Sequence, residues 1–239
     1  MPVKTLNATL LFLMLACGVW AFTLKPMSAT LDPKGYGASK TFRLENESSN
    51  QVAFQVTIVS REMNLDGEET LKPATNLFTL FPPQGVIGPG QSQSVRLVWR
   101  GPSRPAEEQC FRIVAEELPV NFNPAEPGRA QIRILLRYRG TIYIRPKKAR
   151  AELKVESLTR TSTNLWRLAI ANIGNAHCNL SNPSLTLADA AGHKTEISTN
   201  FLTAINGENI LPHHTRNFLI SLPPEVKEQV YQARLNQND

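Results

Sequence analysis

Four histidines, His177, His193, His213 and His214, are the only imidazoles in the 239 residues. No two of them stand as H-x-H or four residues apart, the spacings by which a strand or helix turns two rings onto one metal, so no metal site is expected. His213 and His214 follow Leu211-Pro212 in a loop, where neighbouring side chains point apart, and read as surface residues. Glu107-Glu108 and Glu116-Glu117 are adjacent carboxylates, but neighbours on a strand face opposite sides, so neither pair makes an acid/base couple. G-x-S-x-G, P-loop and dinucleotide fingerprints are absent. The chain has chemically able residues without the spacing that would employ them, and neither an enzyme nor a cofactor nor a nucleotide is expected.

The compartment is legible at the N-terminus. Lys4, an apolar stretch from Leu10 to Ala16 and the small-residue end Val19-Trp20-Ala21 fit a cleavable secretion signal over residues 1–21. Cys17 within it is a poor candidate for lipidation, because Met14-Leu15-Ala16 departs from the usual lipoprotein pattern. Later in the chain no apolar run approaches a membrane-spanning length, and a periplasmic or secreted product is expected. Cys110 and Cys178 then remain, on different expected domains, and their spacing leaves open whether they are free or bonded. The net charge of +6 comes from scattered Lys and Arg. It forms no basic stripe interleaved with aromatics, so nucleic acid is not an expected partner, whereas acidic protein groups are.

The 17 prolines and 13 glycines punctuate short Val, Ile, Phe and Thr runs, which is the pattern of an all-β chain. Alternation predicts strands over 22–31, 40–44, 52–59, 77–81, 92–99 and 110–118, with a further extended piece at Val86-Ile87 and turns at Asp66-Gly67, Pro82-Pro83 and Gly88-Pro89-Gly90. Seven strands at this spacing, counting the one that follows, make one immunoglobulin-like sandwich over 22–146. A hinge at Arg145-Pro146-Lys147-Lys148 leads to a smaller sandwich over 147–239, with strands at 152–155, 165–171, 185–187, 194–197 and 218–221. Residues 225–235 read as a helix or a polar tail.

The last strand of the first unit, IRILLRYRGTIYIRP, is too long for one small domain. Ile132, Ile134, Leu136, Tyr138, Ile142 and Ile144 alternate onto one face, with Arg133, Arg137 and Arg139 on the other. From Ile132 to Ile144 it would span roughly 43 Å, about twice an ordinary strand. Taken alone, the run could be a long sandwich strand with a core face and solvated arginines; a strand that overhangs its sheet with an apolar face and unpaired backbone is either an aggregation hazard or a tool for pairing with another chain, and it is read here as the tool.

With signal, two sandwiches and overlong strand assembled, the chain resembles the periplasmic chaperones of chaperone–usher pilus assembly. The resemblance covers nearly all the mature sequence and is carried by LENESSNQVAFQV, LFTLFPPQGVIGPGQSQSVRL, CFRIVAEELPV and LLRYRGTIYIRP, and less firmly by NLWRLAIANIGNAHCNLSNPSL and NILPHHTRNFLIS. It implies two immunoglobulin-like domains in an L-shaped arrangement. It also implies donor-strand complementation, in which Ile132, Ile134 and Leu136 fill the groove of a pilus or fimbrial subunit that is then delivered to an outer-membrane usher. Well-studied members anchor the subunit's terminal carboxylate with an Arg on the first strand and a Lys on the last. Those positions here are Ser28 and Thr141, a departure that resembles the archaic branch. Arg112 is the candidate anchor in their place, with Arg137 and Arg139 behind it, because a guanidinium holds a carboxylate bidentately. A homodimer of the free protein, hiding its edge, is left open. The competing reading is a secreted two-domain adhesive or structural protein that self-associates through the long strand; a metal-dependent sandwich enzyme is disfavoured by the shortage of histidine.

Overall fold

Strict alternation of apolar and polar residues makes each strand a two-faced ribbon, and the fold is set by which face finds a partner. A computed structural model of the chain describes residues 22–120, 122, 134–162, 164–224, 226 and 232–237. Among these the first unit contains β1 (Phe22–Lys25), β2 (Ser28–Leu31), β3 (Ser39–Asn46), β4 (Val52–Met63), β5 (Glu69–Pro73), β6 (Phe78–Phe81), β7 (Gln84–Ile87), β8 (Ser92–Trp99), β9 (Gln109–Glu117) and β10 (Arg137–Ile144). One sheet runs β1-β3-β8-β6 and the other β2-β10-β9-β4-β5, with β7 also on β4. Phe22, Phe42, Leu44 and Leu97 from the first sheet meet Phe54, Ile58, Ile113, Ile142 and Ile144 from the second in one buried core.

The second unit contains β11 (Leu153–Arg160), β12 (Leu165–Asn172), β13 (Cys178–Asn179), β14 (Pro183–Ala188), β15 (Lys194–Ile197), β16 (Asn209–Ile210), β17 (Thr215–Ser221) and β18 (Gln232–Gln237). Sheets β11-β12-β17 and β15-β14-β18, with the short pair β13-β16, enclose a separate core that includes Trp166, Leu168, Ile170, Leu185, Leu187, Phe218 and Ile220. The all-β, two-sandwich immunoglobulin-like architecture is therefore as the sequence pattern requires.

Several elements differ from the alternation. The expected first strand, 22–31, is two strands in opposite sheets: β1 pairs antiparallel with β3, and β2 pairs parallel with β10. Pro26, which has no amide proton to give to a ladder, falls at the crossing. Strand β4 runs on to Met63, beyond the expected end at Val59, and turns through Asp66-Gly67 into β5, which is too polar to announce itself. Residues 232–237 pair with β14 as a strand where helix or tail was expected, placing Leu235 and Ala233 against the second core.

The long terminal strand also differs. Pairing with β9 begins at Arg137, and Ile134, Leu135 and Leu136 precede it without strand pairing of their own, apart from the Leu136 carbonyl accepting from Glu117 N–H at 2.9 Å. Ile132 lies outside the described residues.

Ile142 on β10 is fully buried. Ile142→Ala should cost about 2–5 kcal/mol of first-domain stability through lost burial and residual cavity, read as a lower urea midpoint at unchanged slope.

Candidate functional site

The face of the second sheet that turns away from its core is built by the same alternation. Val56 and Ile58 point inward, so Val59 and Arg61 point outward on β4; Phe111 and Ile113 point inward, so Cys110 and Arg112 point outward on β9; Ile142 and Ile144 leave Thr141 and Tyr143 outward on β10. The register sets Val59, Arg112, Thr141 and Ser28 side by side across four strands, with Cys110 and Tyr143 abreast in the next row. Met63 pairs with Glu69, which brings that carboxylate round on the β4–β5 hairpin to the same face.

Of these residues Arg61, Met63, Glu69, Arg112, Thr141 and Tyr143, with Ser28, line one wall of a cleft of about 400 Å³ between the two units, whose other wall includes Asn179, Glu208, Asn209 and Arg216. Arg112 gives Nε to Glu69 Oε2 at 3.0 Å and Nη2 to Oε1 at 2.5 Å, while its Nη1 gives to Thr141 Oγ1. Arg61 gives Nε to the same Oε1 at 2.5 Å and Nη1 to Asn209 Oδ1 at 3.2 Å. Burial alone would raise the Glu69 carboxyl, but the Arg112 hydrogen bonds and the Arg61 charge outweigh it and hold the group below its usual range. Across the cleft Arg216 stacks on Phe218, gives Nη1 to Glu208 at 3.0 Å, and lies close to Gly67. φ at residue 67 is +86°, which favours glycine, and a Cβ there would displace that guanidinium, which it would meet at 2.2 Å.

Polar contacts at both sides of the cleft help hold the walls at their spacing. On one side Asn217 N–H gives to Leu65 O at 2.7 Å, docking the β4–β5 hairpin on β17. On the other, Glu108 is wholly buried and accepts His177 N–H at 3.0 Å and His177 Nδ1–H at 2.5 Å on one oxygen, and Arg145 Nε on the other. The His177 ring lies flat on Tyr143, centroids 3.5 Å apart. Burial pushes the Glu108 carboxyl up, yet the hydrogen bonds from His177 and Arg145 prevail and its pKa is lowered. Burial also pushes the Cys110 thiol far up, which makes it a poor nucleophile, and Cys110 takes part in no disulfide among the described residues.

Of the three candidate anchors, Arg112 lines the cleft. Arg137 stands four residues back along β10 and pairs with Glu116 at 2.6 Å in an exposed position, and Arg139 is exposed between them on the same face. Of the candidate donor side chains, Ile134 is 77% exposed, whereas Leu136 is partly buried against the first core. Strand β10 has β9 on one edge, but β2 covers its other edge only from Thr141 to Ile144. Among the described residues, therefore, no strand pairs with that edge from Arg137 to Gly140, which runs back along the chain toward Ile134.

Arg61, Glu69 and the Glu108–His177 contact were not foreseen. Arg61 keeps the outward parity of Thr57 and Val59, so extending β4 by one more pair of residues would have placed it beside Cys110 and Arg112. Glu69 carried no such signal. His213, read as a plain surface residue, is exposed but lies 3.1 Å from Glu107 across the units.

A carboxylate whose pKa is depressed by folding contributes stability that is present above its unfolded pKa, about 4.3, and lost as pH falls through the folded value. Glu108→Gln should therefore lower stability by about 1–3 kcal/mol at neutral pH. In thermal unfolding followed from neutral pH into the acid range, the gap from the parent should narrow as the native carboxylate is protonated; a constant gap would mean that Glu108 contributes by shape alone.

Residues 28–150 match the family of pili and flagellar-assembly chaperones, in its PapD N-terminal domain. Among solved structures the chain is similar to the class 5 fimbriae chaperone CfaA, with TM-score 0.58 and 16% identity over 91% of this chain and 100% of that one. It is similar also to the complex of CsuC with the tip adhesion subunit CsuE from archaic chaperone–usher pili of Acinetobacter baumannii, at 0.59 and 16% over 89% and 97%. The SafA pilin complex with the SafB chaperone of Salmonella enterica gives 0.56 and 16% over 86% of each chain. No curated protein matches the chain. These likenesses show the fold, and the family match over more than half of the sequence shows the kinship: the chain belongs to the pili and flagellar-assembly chaperones.

Proposed function

We propose that the protein is a periplasmic chaperone that folds and caps pilus subunits by lending them a strand, and passes them to an outer-membrane usher. Export by the signal at 1–21 leaves a lending domain over 22–146 and a smaller domain over 147–239. The observation that carries the reading is the edge of β10 that no strand among the described residues pairs with, and its exposed apolar approach. An incoming strand can pair along Arg137 to Gly140 and on past Leu136 to Ile134, and is stopped at the other end by β2, which occupies the edge from Thr141 onward.

The stop falls beside the cleft. Ser28 and Thr141, where β2 meets β10, share a register row with Arg112. A strand that ends there puts its terminal carboxylate within reach of a guanidinium, and the seven residues back to Ile134 span about 23 Å. Ile132, Ile134 and Leu136 are the side chains assigned to the subunit's groove. Burying an exposed side chain of this size contributes roughly 1.5–3 kcal/mol; Leu136, already partly buried against the first core, contributes less, so the three supply at most about 9 kcal/mol before ordering costs, a clamp firm enough to hold and weak enough to exchange without nucleotide.

Ile134→Asp should abolish subunit capture while leaving the chaperone folded, because that side chain is exposed in the free protein. The test is co-purification of the tagged protein from the periplasm with the products of neighbouring genes. A one-to-one complex with a small secreted protein, lost in the variant, is the expected result. An unfolded variant would put Ile134 in the chaperone's own core. A homopolymer, or a monomer with every neighbour present, would favour the self-associating adhesive reading.

A further inference from the structure

Arg112 presents to the cleft the fork that a carboxylate takes bidentately, and in the free protein that fork is already filled. Nε and Nη2 both give to Glu69, and the third nitrogen gives to Thr141. Arg61 Nε converges on the same Glu69 oxygen. One side-chain carboxylate thus sits, from within the chain, where the carboxylate-anchor reading places the end of a subunit.

We propose that Glu69 is a displaceable internal ligand of the anchor, keeping two guanidiniums paired while the cleft is empty and giving way to the terminal carboxylate of an incoming strand. The inference rests on the anchor reading above and adds to it what the site holds beforehand.

Three features support exchange over simple addition. The Arg61 and Arg112 side chains are only 5% and 18% exposed, and two neighbouring buried cations without an anion carry a desolvation and repulsion cost that some carboxylate must offset. Of the five N–H donors of Arg112, the Nε and Nη2 pair that forms one side of the fork is taken by Glu69, so a newcomer gains that side only by exchange. The partners also differ in their place in the sheet. Arg61 and Arg112 stand on β4 and β9, which have neighbours on both sides, whereas Glu69 is the first residue of β5, the outermost strand of that sheet. Its side chain, 19% exposed, has a route to water that needs no strand to move.

Exchange has a consequence for affinity. The incoming carboxylate replaces an ion pair rather than creating one, so the anchor discriminates a chain end while contributing little net affinity. That suits a complex that must later be undone.

The probes are two soluble synthetic peptides of one alternating Thr and Val sequence, one with a free C-terminal carboxylate and one amidated, titrated by fluorescence anisotropy. Glu69→Gln keeps the shape and removes the charge; it should bind the free-acid peptide about tenfold tighter than the parent, with amide binding unchanged. Glu69→Asp, which keeps the charge on a shorter stem and guards against misfolding of the first variant, should tighten acid binding less. If Glu69 merely positions the arginines, both variants will bind the acid more weakly or equally, and the proposal is overturned while the anchor stands. If the parent and both variants treat acid and amide alike, or bind neither, the anchor reading itself fails and the proposal falls with it.

Discussion

The two-residue period of β10 is the constraint on which both surfaces depend. Ile142 and Ile144 are fully buried in the first core, which fixes the rotation of that strand. Every residue upstream inherits the choice. Tyr138 and Leu136 continue the core face toward the open end of the sandwich, where Tyr138 packs on Phe22, and Ile134 carries it beyond cover. The opposite face carries Thr141 and Tyr143 into the cleft. A slip of one residue would exchange the faces, removing the apolar approach and the cleft wall together. One buried pair of isoleucines thereby orients the apolar approach and the cleft wall in a fixed relation.

The cleft is held open by groups that must be paired. Glu108 is a wholly buried carboxylate, tolerable only because His177 and Arg145 supply hydrogen bonds from both sides. His177 belongs to the second unit, and its ring is fixed by Tyr143 beneath it. At the far side the β4–β5 hairpin meets β17 through backbone and Arg216. Such contacts contribute modest net stability, but they have directional geometry, which apolar contact lacks. The spacing between the walls is thus set by hydrogen bonds, and the guanidiniums on one wall face a defined partner surface.

Much of this was legible because alternation reports burial directly. Strand β8 has the bounds that the pattern gave, and β4, β9 and β3 have their centres where their apolar residues fall. What escaped lay where burial is not the signal. Strand β5, with Glu69, Thr70 and Lys72, is an edge element whose side chains are largely exposed, and its pairing follows from the hairpin before it. The end of β4 escaped because Ser60, Arg61 and Glu62 are polar, although Arg61 is buried; a polar residue buried by a partner on another unit has no apolar signature. Arg112 was reached through kinship and through the chemistry of carboxylates, and its placement in the cleft could not be read from CFRIV alone. The Glu108–His177 contact joins residues 69 positions apart on different units, beyond any local pattern.

The absence of charge at Ser28 and Thr141 has a geometric reading within the same row. Neighbouring strands are about 4.8 Å apart, and Arg112 stands one strand inward from Thr141 in direct register. A guanidinium stem is long enough to recover that distance, so moving the cation from β10 to β9 leaves its charged end in the same cleft. The move changes what surrounds it. On β9 the stem is flanked by strands on both sides and needs hydrogen bonds to aim it, and the Thr141 hydroxyl, at the position left neutral, is the group that accepts Nη1. It also brings the cation within reach of β4, where Arg61 adds a second charge, and two cations so close require the carboxylate that the β4–β5 hairpin returns to them as Glu69. Under the anchor reading, the neutral pair, the second arginine and the internal acid are then one arrangement: once the charge sits on an inner strand, a hydroxyl must orient it and an anion must accompany it until a subunit arrives.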